Sequence, residues 1–123
     1  MINFQEIVQG LAHNTYFEIW LFMIALDVFT GIGKCFFGEK ASSKIAWKGI
    51  FKHLFTVVTV IAFCVIFIAI GIDSLAGMFI LFEIGVYGIS IVENYVSCDL
   101  PTPKWLKQFF EDKKKEGEGE PKE

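Results

Sequence analysis

Three long apolar runs dominate the chain, at residues 15–33, 54–72 and 74–96. The central run, LFTVVTVIAFCVIFIAIGI, contains no charged side chain and no proline. At about 1.5 Å of rise per residue, its length as a helix matches the roughly 30 Å hydrocarbon core of a bilayer. Its β-branched residues favour strands in water, but in lipid only a helix satisfies the backbone amides of an isolated segment. We therefore predict a transmembrane helix, the alternative being a buried helix of a soluble protein.

The first and third runs have the length of membrane spans, although polar residues interrupt them. Residues 15–33 contain Glu18 and Asp27, and Tyr16 and Trp20 near the outer end fit the aromatic belt of a membrane interface. A very short turn around Gly71 separates the second run from the third, which predicts a helical hairpin. The predicted fold class is an all-α integral membrane protein with three transmembrane helices.

Residues 34–53 form a basic loop between the first two spans. Lys44, Lys48 and Lys52 lie four residues apart and share one helical face, while the other side is apolar and includes Trp47. A basic face beside an apolar face is typical of an amphipathic helix in the membrane interface, whose lysines contact lipid headgroups. The alternative is a solvated loop whose lysines only follow the rules of membrane topology.

The two ends of the chain lie outside the predicted spans. The N-terminal lead, residues 1–14, has apolar side chains at helical spacing and is predicted to be a short interfacial helix. In the tail, residues 97–123, Pro101 and Pro103 end the third helix, and an amphipathic piece, KWLKQFF, follows. After about residue 111, mixed lysine and glutamate with glycine predicts disorder.

Charge is confined to the segments between and after the apolar runs. Hydrophobic residues make up 54% of the 123 residues, against about 45–50% in ordinary soluble domains. The chain has no arginine, and every lysine lies within residues 34–52 or after residue 103. Because cytoplasmic loops of membrane proteins are rich in lysine, the basic loop and the C-terminus are predicted to be cytoplasmic and the N-terminus to be outside.

The third span contains a stripe of polar residues on one helical face. Glu83, Tyr87, Ser90 and Asn94 continue a series from Ala76 and Ile80 at steps of four and three residues. Ionisable and polar groups within a span are costly and are candidates for function. The four polar residues are predicted to form an oligomer contact or to line a water-filled lesion. The alternative is an intramolecular hydrogen-bond network that fixes a three-helix bundle.

Small and polar residues elsewhere in the spans extend this interpretation. Gly77, Gly85 and Gly88 lie towards the other side of the third span, where small residues permit close helix packing. In the first span, Asp27 shares a face with Thr30 and Gly31. Asp27 pairs with a polar group of another helix or lies near the cytoplasmic headgroups, and the sequence alone leaves both alternatives open.

No residue pattern indicates an enzyme, a cofactor, a metal site or a nucleic-acid surface. Cys35, Cys64 and Cys98 are isolated and are predicted to be reduced packing residues. His13 and His53 lie in the lead and the loop, without a cysteine or carboxylate at ligand spacing. Metalloprotease, hydrolase and P-loop motifs are lacking. What remains is binding to the membrane and to copies of the chain itself.

Four pieces of the sequence, in order, resemble the toxin-secretion/phage-lysis holin family. They are DVFTG with Asp27, Thr30 and Gly31; SKIAWKGI in the basic loop; the region from Glu83 through ISIVEN, which contains Glu93; and the PTPKWL exit. Together they span residues 19–110. One feature departs from the family pattern, because an acidic residue is expected about two positions before the SIVEN core. This chain has Tyr87 and Gly88 there.

The resemblance implies a phage or prophage holin in the inner membrane of the bacterial host. Such a multi-pass protein would oligomerise into lesions or pores that allow an endolysin, a functional partner that need not touch it, to lyse the cell. Its partners would then be copies of itself, membrane lipids and, in some systems, an antiholin. Two alternatives share the same topology: an antiholin or other regulatory membrane protein, and a holin-like exporter of a toxin that lacks a signal peptide.

Overall fold

A computed structural model describes the backbone of residues 3–37, 43–98 and 100–118, and the side chains of residues 3–34, 47–98 and 100–113. These residues form five helices, listed in chain order: α1 Phe4–Ala12, α2 Thr15–Phe37, α3 Ser43–Ala69, α4 Asp73–Ser97 and α5 Lys104–Glu118. Segments of α2, α3 and α4 are long and apolar enough to cross a membrane, at Thr15–Lys34, Trp47–Ala69 and Asp73–Ser97. The all-α fold with three candidate spans is therefore confirmed.

Helix α3 begins well before the apolar run that predicted it. It starts at Ser43 and continues without a break to Ala69, so the second half of the basic loop forms its first turns. The sequence prediction placed the boundary at the charged residues before position 54. Charge determines the depth of a residue in a bilayer, whereas a helix ends only where its backbone hydrogen bonds stop. Whether these first turns lie in the membrane interface stays a prediction.

A tight turn joins α3 to α4. Gly71 has a φ of +84°, a left-handed conformation that glycine adopts without steric cost. The amide of Gly71 donates to the carbonyl of Ile68, and the amide of Ile72 donates to that of Phe67. These two bonds form a Schellman motif, which satisfies the last carbonyls of α3. The hairpin that the sequence predicts is thereby fixed at this end.

Helix α4 packs along both α2 and α3 and forms the centre of the bundle. The most deeply buried side chains are Trp20 from α2, Val60 and Cys64 from α3, and Ile80 from α4. Trp20 is 0% exposed and packs against the ring of Phe17 at 5.5 Å between centroids. The prediction of an interfacial aromatic belt is therefore wrong for Trp20, whose face of α2 turns towards the other helices. It stays a prediction for Tyr16, which is exposed.

The short helices α1 and α5 flank the bundle. Asn3 caps α1 through a 2.7 Å bond from the amide of Gln5, and Ile7 and Leu11 of α1 are buried against the bundle. Helix α5 packs against α4 and continues to Glu118, beyond residue 111, where the composition predicts disorder. Glu111 lies four residues before Lys115, a spacing that supports a helix.

The outer surface of the bundle is apolar. Large side chains such as Phe22, Phe55 and Phe82 are more than half exposed, although they lie in the middle of candidate spans. A water-soluble protein rarely exposes contiguous apolar area on this scale. The surface is that of a multi-pass membrane protein, and it frames the polar residues that the helices enclose.

Candidate functional site

A cluster of polar side chains lies between the three membrane helices, centred on Asp27 of α2. The side chain is 8% exposed. Its Oδ1 atom accepts a hydrogen bond from the Ser90 hydroxyl at 2.7 Å and one from Asn94 Nδ2 at 3.0 Å, both donors lying on α4. Asp27 therefore joins α2 to α4 within a single chain.

Thr30 extends the cluster by one turn of α2. Its hydroxyl donates to the carbonyl of Leu26 at 2.9 Å and accepts from Asn94 Nδ2 at 3.1 Å. A Cβ atom placed on Gly31 would lie 3.8 Å from Asn94 Nδ2, an ordinary van der Waals distance. The helices approach closely here, but an alanine at position 31 would fit.

His53 connects the cluster to α3. Its Nε2 atom lies 3.6 Å from Asp27 Oδ2, and its Nδ1 atom is 2.9 Å from the hydroxyl of Tyr87. In a neutral imidazole whose proton is on Nε2, that proton would point towards Asp27. The Nδ1 atom would then accept a hydrogen bond from the Tyr87 hydroxyl. A protonated imidazole would form an ion pair with Asp27 instead. In both forms the ring bridges α2 and α4, and the cluster holds all three helices together.

The cluster lies inside the candidate spans rather than beyond them. Asp27 precedes Lys34, the end of the first span, by about two helical turns. Asn94 lies three residues before Ser97, and His53 lies six residues after Trp47. In such a low-dielectric environment a satisfied polar network specifies one helix arrangement, whereas an unsatisfied group is costly.

Glu83 continues the polar stripe of α4 but stands apart from the network. Its side chain is half-buried, and within the described part of the chain it has neither a hydrogen bond nor a salt bridge. Tyr87, Ser90 and Asn94 make their hydrogen bonds to α2 and α3 of the same chain. The structure thus brings three of the four stripe residues together and leaves Glu83 one turn away.

The three glycines of α4 have different surroundings. A Cβ atom on Gly88 would lie 3.6 Å from Met23 Cε of α2, so Gly88 is at a helix contact. Gly77 and Gly85 have open space around the same position. Gly85 is exposed on the outer surface, and Gly77 lines an open cavity of about 450 Å³ beside α1.

Of the remaining predicted residues, those with described side chains lie at the surface. Glu93, in the SIVEN core, is exposed and turned away from the cluster. Lys48 and Lys52 are exposed on the first turns of α3. The side chain of Lys44 lies outside the described residues, although its backbone belongs to α3.

His53 is the member of the cluster that could not be predicted from the sequence. It falls in the segment predicted to be a loop, where no partner could be assigned. A signal was nevertheless present, because His53, Val57, Val60 and Cys64 follow one another at helical spacing and Val60 and Cys64 are buried. A second unforeseen contact joins α2 to the C-terminal end of α4: a Cβ atom on Gly33 would lie 3.7 Å from Cys98 Sγ.

Within the described residues, no group of three or more histidine, cysteine, aspartate or glutamate side chains is placed to hold a metal ion. The cluster contains the carboxyl group of Asp27, the imidazole of His53, the amide of Asn94 and the hydroxyls of Thr30, Ser90 and Tyr87. The hydrogen bonds described above join these groups to one another or to the backbone of α2. Its chemistry is that of a hydrogen-bonded junction between helices.

Comparison with known protein families gives a match over most of the chain. The sequence model of the bacteriophage holin family matches residues 7–115, a range that includes the whole polar cluster. No curated protein and no solved structure matches the chain.

Proposed function

The chain belongs to the bacteriophage holin family, and on that premise we propose that it oligomerises in the inner membrane of a bacterial host and forms lesions. Proteins of this family permeabilise membranes and are not enzymes. The lesions would collapse the membrane potential and allow an endolysin to reach the cell wall. Copies of the chain and membrane lipids are then its direct partners.

The observation that carries the proposal is the polar cluster enclosed by otherwise apolar helices. In lipid, helix association depends on close packing and polar contacts, because burial of apolar area provides no driving force. The outer surface of this bundle is suited to lipid, while the surface between α2 and α4 contains Asp27, Ser90 and Asn94. The hydrophilic groups between the spans would line a water-filled lesion once the helices turn them towards its lumen.

The role of each predicted residue is part of the same proposal. Glu83, Tyr87, Ser90 and Asn94 contact neighbouring copies or line the lesion once the chain assembles. Gly88 and the exposed Gly85 permit close helix approach. The lysines at the start of α3 bind anionic headgroups on the cytoplasmic side of the membrane. In this orientation the C-terminus is inside the cell and the N-terminus is outside. The five lysines of residues 34–53, against one acid, support this orientation.

Inducible expression of the chain in bacteria tests the function. Growth, membrane potential and optical density are followed with the chain alone, with an endolysin alone and with both. We expect abrupt depolarisation with the chain alone, and lysis only when both proteins are present. Continued growth, with the chain shown to be in the membrane, would contradict lesion formation and favour a regulatory antiholin.

A further inference from the structure

We propose that the contact between α2 and α4 is exchanged between copies of the chain. In the single chain, Asp27 accepts hydrogen bonds from Ser90 and Asn94 of its own α4. In the assembled form, Asp27 of one copy accepts the same bonds from α4 of the next copy. The inference rests on the proposed function, since it names the surface through which the lesion-forming copies associate.

Helix α2 is the element that can leave the bundle. The Schellman turn at Gly71 joins α3 and α4 so tightly that these two helices must move together. Five residues, 38–42, separate the end of α2 at Phe37 from the start of α3 at Ser43. Separation of α2 from the α3–α4 hairpin breaks the hydrogen bonds of Asp27 but leaves the turn intact.

Lipid cannot cover the surfaces that this separation exposes. Acyl chains offer no hydrogen bonds, so Asp27 on one surface and the donors Ser90 and Asn94 on the other would be left unsatisfied. A second copy presents the matching surface. Its α4 carries the same donors at the same spacing, and the close approaches at Gly88 to Met23 and at Gly33 to Cys98 provide a matching shape.

The geometry of the exchange predicts head-to-tail association of the copies. Each copy offers one α2 surface and one α4 surface, which are complementary to each other and not to themselves. Such head-to-tail contacts generate rings when the rotation closes and chains when it does not. The exchange therefore provides a route from one closed chain to assemblies of many copies within the plane of the membrane.

Disulfide crosslinking between two distinguishable copies tests the exchange. One copy carries Gly33→Cys and Cys98→Ser with one tag, and the other keeps Gly33 and Cys98 with a second tag. A 33–98 disulfide can then form only between copies. Membranes are oxidised before and after depolarisation, and the linked peptide is identified by mass spectrometry. We expect it to appear at depolarisation, at least tenfold above its earlier level.

Two controls define the background. In the first, the second copy also carries Cys98→Ser, which removes the linked peptide and shows what the remaining cysteines contribute. In the second, Phe29→Cys replaces Gly33→Cys; this side chain is 72% exposed on α2 and reports random collisions. Crosslinking from position 33 must exceed crosslinking from position 29.

A second measurement uses Gly33→Cys and the native Cys98 in the same chain. Oxidation should link α2 to α4 within each copy, and the purified protein in liposomes should then fail to release dye until a reductant is added. Full dye release from the oxidised protein, or depolarisation in cells without the 33–98 link between copies, would overturn the exchange and leave the proposed function standing. Failure of the native chain to depolarise cells would instead refute the proposed function.

Discussion

Replacement of Asn94 by alanine tests whether the polar cluster holds the three helices together. In the native chain, Asn94 Nδ2 lies 3.0 Å from Asp27 Oδ1, 3.1 Å from Thr30 Oγ1 and 3.3 Å from the Asp27 carbonyl oxygen. Alanine removes all three contacts and leaves Ser90 as the hydrogen-bond donor from α4 to the Asp27 carboxylate. We expect α2 to bind the α3–α4 hairpin less tightly.

The size of the loss follows from these contacts. An amide nitrogen carries two protons, so about two of the three oxygens accept a good hydrogen bond. Hydrogen bonds between membrane helices contribute about 0.6 kcal/mol each on average and about 1.7 kcal/mol at most. Alanine at position 94 removes about two such bonds. The free energy of unfolding should fall by about 1–2 kcal/mol, a roughly 5–30-fold change in the folding equilibrium constant.

To measure this change in the free energy of unfolding, the protein is unfolded in bicelles and the separation of α2 from α4 is followed. The matched control is Glu93→Ala, since Glu93 is the adjacent residue on α4 and is exposed; its effect should stay within about 0.5 kcal/mol. A double-mutant cycle with Asp27→Ala should give a coupling energy of at least about 0.6 kcal/mol. A coupling energy near zero, or an equal loss from Glu93→Ala, would refute the idea that this network joins the helices.

Three further predictions concern other parts of the chain. Glu83→Leu should change the time of lysis more than Lys48→Glu, because a carboxyl group within a span costs about 2.5–3.5 kcal/mol and an interfacial lysine far less; equal shifts in timed lysis assays would contradict the role of Glu83. Charge reversal at both Lys48 and Lys52 should abolish the enrichment of spin-labelled anionic lipid around the protein, because each lysine near the membrane surface contributes about 1 kcal/mol of attraction to anionic lipid. Unchanged enrichment would exclude headgroup binding. Gly71→Ala should lower the free energy of unfolding by about 1 kcal/mol because of the φ of +84°, whereas Gly85→Ala, in open space, should not.

The membrane helices could be predicted from the sequence because the bilayer imposes a length on apolar segments. The run at 54–72 needed no tertiary information, and the structure places the span Trp47–Ala69 over most of it. The ends of α3 were harder to predict. For its start at Ser43 the sequence left two alternatives, an amphipathic helix that includes Lys44 or a solvated loop. Its end at Ala69 is determined by the conformation of Gly71 rather than by hydropathy.

The polar cluster was only half visible in the sequence. Spacing of four and three residues placed Tyr87, Ser90 and Asn94 on one face of α4, because that pattern depends on a single helix. The partners of that face depend on how three helices pack, which no single-helix pattern contains. Asp27 was therefore left with two alternatives, and His53 was assigned to a loop although it lies against both Asp27 and Tyr87.

The proposed exchange has a consequence for the onset of assembly. The hydrogen bonds made within one chain and between copies are chemically the same, so their strength cancels between the two states. The equilibrium between the closed chain and the assembled copies then depends on two quantities. One is the effective concentration of a chain's own α4 at its α2, and the other is the density of other copies in the membrane. Asn94→Ala should accordingly weaken the single bundle and speed the separation of α2, yet leave the surface density at which depolarisation begins nearly unchanged. A lesion in which α2 and α4 stay apart and the polar cluster faces water has no such cancellation, because there the loss of Asn94 destabilises only the closed chain and lowers the threshold density.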